Sequence, residues 1–71
     1  MMALGIAPIG KEMEIKRIVL DEKTTKHLLN LGLMVGSKVT TLSDAKGDVI
    51  LKVKDGRLAL NKELAMRIFV A

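Results

Sequence analysis

The chain has 71 residues, 12 Lys and Arg against 8 Asp and Glu for a net charge of +4, one aromatic ring at Phe69 and no cysteine. Such a length makes one domain with a small core, and the lack of cysteine removes disulfides and thiolate metal sites. Nearly half the residues are apolar, yet no run approaches the ~20 needed to span a bilayer, and the interspersed charges describe a solvated surface without a basic stripe.

Residues 1–10 are apolar, carry no charged leader and are broken by Gly5 and Pro8. They read as a loosely packed or partly disordered lead-in, not as a signal peptide, which makes the protein cytoplasmic. An apolar tail could instead make a partner or oligomer contact. Residues 11–71 form the single domain. In 11–20, Met13 and Ile15 alternate with Glu12, Glu14 and Lys16, as a half-buried strand requires. The phase then changes at Arg17, so Ile18 and Leu20 take the other parity, and a bulge at Lys16-Arg17 is expected.

A helix is expected over Asp21–Leu31, with Asp21 as N-cap, Glu22 at the positive end of the dipole and Lys26 and His27 toward the negative end. Leu28, Leu29 and Leu31 would share its inner side, with Leu28 and Leu31 as core. Gly32 suits the positive φ that ends a helix, and Leu33 can fold back onto the last turn. Gly36 is a second bend. A strand follows over Ser37–Ser43, then a turn at Asp44-Ala45-Lys46-Gly47. Val49, Leu51 and Val53 alternate inward against Asp48, Ile50, Lys52 and Lys54. Asp55-Gly56 is a hairpin signal, leading to a strand over Arg57–Leu60. Asn61 caps a single helical turn, Lys62–Met66, and Ile68-Phe69-Val70 is the last strand. The fold class is therefore mostly β with one or two short helices, a small, strongly bent barrel of about five strands.

Chemistry is sparse along this chain. His27 has Lys23, Thr24, Asn30 and Leu31 at the helical spacings where a second metal ligand would stand, so no ligand set and no cofactor is visible. A transition metal shared between copies stays open. Ser37 and Ser43 lack an adjacent base. Glu12 and Glu14 lie among Lys11 and Lys16, as a solvated strand face does, and no phosphate-binding loop is present. Reading of single-stranded nucleic acid and of proline-rich peptides both call for aromatic platforms that Phe69 alone cannot supply. The chain is not read as an enzyme, and what remains is contact with another protein through aliphatic and Met surface.

The ordered set Leu28-x-x-Leu31-Gly32-Leu33-x-x-Gly36-x-x-Val39, Gly47 to Val53, Leu58-Ala59-Leu60 and Leu64-Ala65-x-x-Ile68-x-Val70 resembles the FeoA-type domain, with Ala7-Pro8-Ile9-Gly10 like that family's entry into the fold. The resemblance implies an SH3-like barrel. It also implies a cytoplasmic, non-enzymatic accessory role in ferrous iron uptake, exerted by contact with the cytosolic, GTPase-containing part of a membrane ferrous iron transporter. The same domain type forms the C-terminal part of iron-dependent repressors, so a metal-responsive or nucleic-acid-associated module is the alternative. No nucleic acid and no direct membrane insertion are expected, and weak homo-oligomerisation is left open. For the partner surface, the residues chosen are Leu33, Met34 and Val35 with Lys38 at the rim, and Ile50 as a second position, because exposed aliphatics rimmed by charge resemble an interface.

Overall fold

The computed structural model describes residues 1–45 and 47–71. In chain order the elements are β1 (Met2–Ala3), a 3-10 turn (Leu4–Ile6), β2 (Glu12–Ile18), α1 (Glu22–Asn30), β3 (Lys38–Ala45), β4 (Asp48–Val53), β5 (Gly56–Asn61), α2 (Lys62–Ala65) and β6 (Ile68–Val70). The strands form one sheet in the order β1-β6-β2-β3-β4-β5, and every neighbouring pair is antiparallel.

β2 serves two neighbours because it changes register midway. Glu12 to Glu14 pair with β3, while Ile15 to Ile18 pair with β6 across a bulge between Ile15 and Arg17. This is the phase change expected near Lys16-Arg17. The extra residue bends the strand and lets it turn from one half of the barrel to the other. Met13 and Ile15 point into the core, and Arg17 is exposed. A second bulge, between Thr41 and Ser43, bends β3 against β4 in the same way.

Fully buried Leu4, Ile15, Leu28, Leu33, Leu51 and Ile68 dominate the core, joined by Val39, Val49 and Val70. Leu4 corrects the view of residues 1–10 as loosely packed. Met2 and Ala3 pair with Val70 and Phe69 as a sixth strand, Leu4 enters the core, and Gly10 N donates to Thr41 O at 2.8 Å. Burying Leu4 and supplying the free side of β6 with a partner tie the segment down.

The helix starts as read. The Asp21 carboxylate accepts from Thr24 N at 3.0 Å, and hydrogen bonds from the Thr24 side chain and then its backbone hold the Asp21 carboxyl below its ordinary value. The inner stripe is narrower than expected. Thr24 and Thr25 are half-buried and Leu28 is buried, whereas Leu29 and Leu31 are 47% and 41% exposed. Leu31 is therefore not core. The chain reverses at Gly32, and Leu33 takes the inward place that the next helical turn would have held.

Two hairpin details also differ. Asp44 and Ala45 belong to β3, opposite Val49 and Asp48; Gly47 has φ 82°, and the Lys46 position of the expected turn lies outside the described residues. In β4–β5, Val53 stands opposite Gly56, so Lys54 and Asp55 make the turn in place of Asp55-Gly56. This register sets the buried Val49 against Leu60 and Leu51 against Leu58. A turn at Asp55-Gly56 would have set Lys62 against Val49. Asn61 caps α2, its side chain accepting from Leu64 N at 2.8 Å.

Candidate partner-binding surface

The corner between α1 and β3 is held by local hydrogen bonds and by two to β2. Leu33 N donates to Leu28 O at 2.9 Å and Gly32 N to Leu29 O at 3.0 Å, the paired arrangement of a Schellman cap, with Gly32 at φ 92° as that motif requires. The accompanying apolar contact is expected between the residue after the glycine and the last full turn, and Leu33 and Leu28 do belong to the same buried cluster. The Ser37 hydroxyl then closes the loop, donating to Gly32 O at 3.1 Å and accepting from Met34 N at 3.1 Å. Gly36 N donates to Ile15 O at 2.8 Å and Ile15 N to Ser37 O at 2.9 Å, which fixes the loop to β2.

What this frame displays is apolar. Met34 is 46% and Val35 61% exposed, beside the exposed Leu31. A groove of about 630 Å³ runs from Leu31 and Met34 to Val53, with Lys38, Lys52 and Lys54 along its edges and Glu12 and Asp55 at its ends. Cross-strand pairing assembles the far wall, since Glu12 faces Thr40 on β3 and Thr40 faces Lys52 on β4. Lys38 leans onto Glu14 at 3.3 Å, which also takes Lys16 at 3.0 Å. Hydrogen bonds from Lys16 and then Lys38, with their positive charge, hold the Glu14 carboxyl below its ordinary value.

Of the five residues chosen from sequence, Met34 and Lys38 line this groove, and Val35 is exposed next to Met34 in the chain without lining it. Leu33 is 0% exposed, because the cap folds it under the helix, and it leaves the set. Ile50 is half-buried, pairs with Ser43 and Ala59, and does not line the groove. Leu31, Lys52, Val53 and Lys54 were missed. The outward parity of Lys52 and Lys54 was readable, but only the strand register brings them beside the corner.

Reaction chemistry finds no footing here. Ser37 uses its hydroxyl to close the loop, and His27 is exposed on the last turn of α1. Among the described residues no three His, Asp or Glu side chains gather as a metal site would need, and no helix is long and apolar enough to cross a membrane.

The fold is shared with known proteins. The model of the FeoA domain matches residues 2–71. The chain is 31% identical over 70 residues to the Methanocaldococcus jannaschii protein named "Putative Fe(2+) transport protein A", covering 99% of this chain and 85% of that one. The crystal structure of an iron uptake regulatory protein, FeoA, superposes with a TM-score of 0.86 at 26% identity, over 99% of this chain and 93% of the other. A manganese-dependent transcriptional repressor shares the fold at a TM-score of 0.87 and 18% identity, over 97% of this chain but 40% of its own. With a family match over nearly the whole chain and a shared six-stranded SH3-like fold, the chain belongs to the FeoA domain family, a family of non-catalytic accessory domains associated with Fe(2+) transport.

Proposed function

We propose that this protein is a cytoplasmic accessory protein of ferrous iron uptake that binds the cytosolic, GTPase-containing region of a membrane ferrous iron transporter. The observation that carries the reading is the hydrogen-bonded corner that holds Met34 and Val35 out in solvent. Holding apolar side chains outside the core sacrifices their burial, and a partner restores it. The loop is braced before the partner arrives, so little ordering entropy is lost on binding. Lys38, Lys52 and Lys54 at the groove edges favour a partner segment that mixes aliphatic and acidic residues. Regulation follows if the segment is presented differently in the transporter's nucleotide states, because a ligand shifts an equilibrium only by its differential affinity.

The test is titration calorimetry of the purified cytosolic region of the cognate transporter, loaded in turn with GTP and GDP, against wild type and Met34→Glu. Binding by wild type and its loss in Met34→Glu, with the thermal midpoint retained, is the expected result. No binding in any nucleotide state, or equal binding by the variant, overturns the proposal.

The shared fold with a transcriptional repressor favours a second reading, a detached metal-responsive or nucleic-acid-associated module. Duplex DNA binding that weakens steeply with salt would support it; a flat, weak response would remove it.

A further inference from the structure

The sheet has two ends, and they are not alike. At one, β1 is only two residues long. At the other, β5 runs six residues, Gly56 to Asn61, and every one of them pairs with β4 in unbroken register. Sheet edges are ordinarily blunted by shortness, a bulge, a proline or a central charge, because a row of free N–H and C=O groups is a template for another strand. β1 has the first of these safeguards. β5 has none: its one charged residue, Arg57, is near its beginning, and its middle is Leu58-Ala59-Leu60.

The register says which groups are free. Lys62 N donates to Gly47 O at 2.6 Å, so positions 47 and 62 are a hydrogen-bonded pair. Antiparallel pairs alternate between bonded and non-bonded. Leu60, Leu58 and Gly56 therefore bond to β4, and the N–H groups of Arg57, Ala59 and Asn61 face the open edge. Among the described residues no hydrogen bond engages the backbone of Arg57 or Ala59 from that side.

We propose that β5 pairs antiparallel with β5 of a second copy of this chain, with Ala59 on the two-fold axis, joining two barrels into one continuous sheet. The strand is complementary to itself in that register. Ala59 meets Ala59 of the second copy as a hydrogen-bonded pair, so the N–H and C=O of each bond across the axis. Arg57 falls opposite the neutral Asn61, so the two arginines do not face each other, as they would with the axis at Arg57. Leu58, half-buried at the edge, falls opposite Leu60, and the pair extends the core side of the sheet across the axis. A two-fold contact uses one patch twice, so it closes at a dimer and does not propagate. No residue of β5 lines the Met34 groove, and the mass of the free chain reads this dimer without the transporter.

Sedimentation equilibrium from micromolar to millimolar chain tests it. Wild type is expected to rise with concentration from 7.7 kDa toward twice that mass. Ala59→Pro removes one outward N–H and leaves the β4 ladder intact; it is expected to stay monomeric with an unchanged circular dichroism spectrum. Should that variant fail to fold, Ala59→Cys decides. In a chain otherwise free of cysteine, opposed antiparallel residues lie about 5.5 Å apart, within disulfide reach. Mild oxidation should then convert most of the chain to covalent dimer, while Lys23→Cys on α1 stays monomeric. A wild type monomeric at millimolar concentration, a dimer that survives Ala59→Pro, or an Ala59→Cys that does not cross-link would each overturn the proposal.

Discussion

Leu33 and Met34 are neighbours in sequence, and the cap sends them to opposite fates. Leu33 is 0% and Met34 46% exposed. Truncating each to alanine therefore measures the corner directly. A fully buried leucine cut to alanine loses about 2–5 kcal/mol, the spread reflecting how far the site can collapse. A domain of 71 residues holds roughly 4–11 kcal/mol in total, at about 0.05–0.15 kcal/mol per residue. Leu33→Ala should thus remove a large fraction of the stability. At about 4–8 °C per kcal/mol for a domain of this size, its midpoint should fall by roughly 10–30 °C. Met34 has about half its surface still in water, and burial of a whole Met is worth about 1.5–3 kcal/mol, so Met34→Ala should cost no more than about 1.5 kcal/mol. Thermal melts followed by circular dichroism, with urea titrations to show an unchanged slope, give both numbers. If Met34→Ala costs as much as Leu33→Ala, or Leu33→Ala costs under about 1 kcal/mol, the cap does not divide the two residues as described.

Gly32→Ala isolates the backbone contribution at the same corner, because a Cβ there would meet no atom of the described residues within 4 Å; the left-handed conformation alone should cost about 1–2 kcal/mol, and Gly32→Asn less, both readable from urea midpoints. Thr41 is 3% exposed and its hydroxyl has no hydrogen-bond partner among the described residues, so Thr41→Val, which keeps the shape and removes the unsatisfied group, should raise stability by about 1 kcal/mol. The Glu14 carboxyl is held below its ordinary value of 4.5, so its contribution is fully present above that value and is lost as the pH falls through the lowered one. The difference in melting temperature between wild type and Glu14→Gln should therefore be largest at neutral pH and close in acid. Salt should also shrink it at neutral pH, since the two lysine pairs are at the surface.

Local rules carried far where each residue answers to its neighbours. Asp21 and Asn61 as caps, Gly32 as the stop and the bulge at Lys16 all follow from requirements within a few residues, and the structure has each of them. Leu29 and Leu31 show where that reasoning ends. A 3.6-residue period offers them a shared side with Leu28, but how wide a stripe a helix buries depends on the sheet beneath it, and here Leu33 fills the space first. The turn at Lys54-Asp55 was displaced for a related reason, since pairing of Val49 with Leu60 and of Leu51 with Leu58 overrode the local preference of Asp-Gly. The candidate site divides the same way. Met34, Val35 and Lys38 were accessible from the corner's own sequence, whereas Lys52, Val53 and Lys54 reach it only through the register of three strands.

The pairing of β1 with β6 places Met2 opposite Val70 and Ala3 opposite Phe69. The two ends of the chain thus leave the barrel side by side, on strands about 5 Å apart. A short glycine-serine bridge between them would span that gap, and the exposed Lys54-Asp55 turn offers a place to open new ends. A circular permutant cut there would keep the α1–β3 corner, the β1–β6 seam and every strand pair, turning the β4–β5 hairpin into the point where the chain begins and finishes. The permutant would also move any fused partner from the β1–β6 seam to the groove beside Lys52 and Lys54, so the same barrel could be tethered from either side.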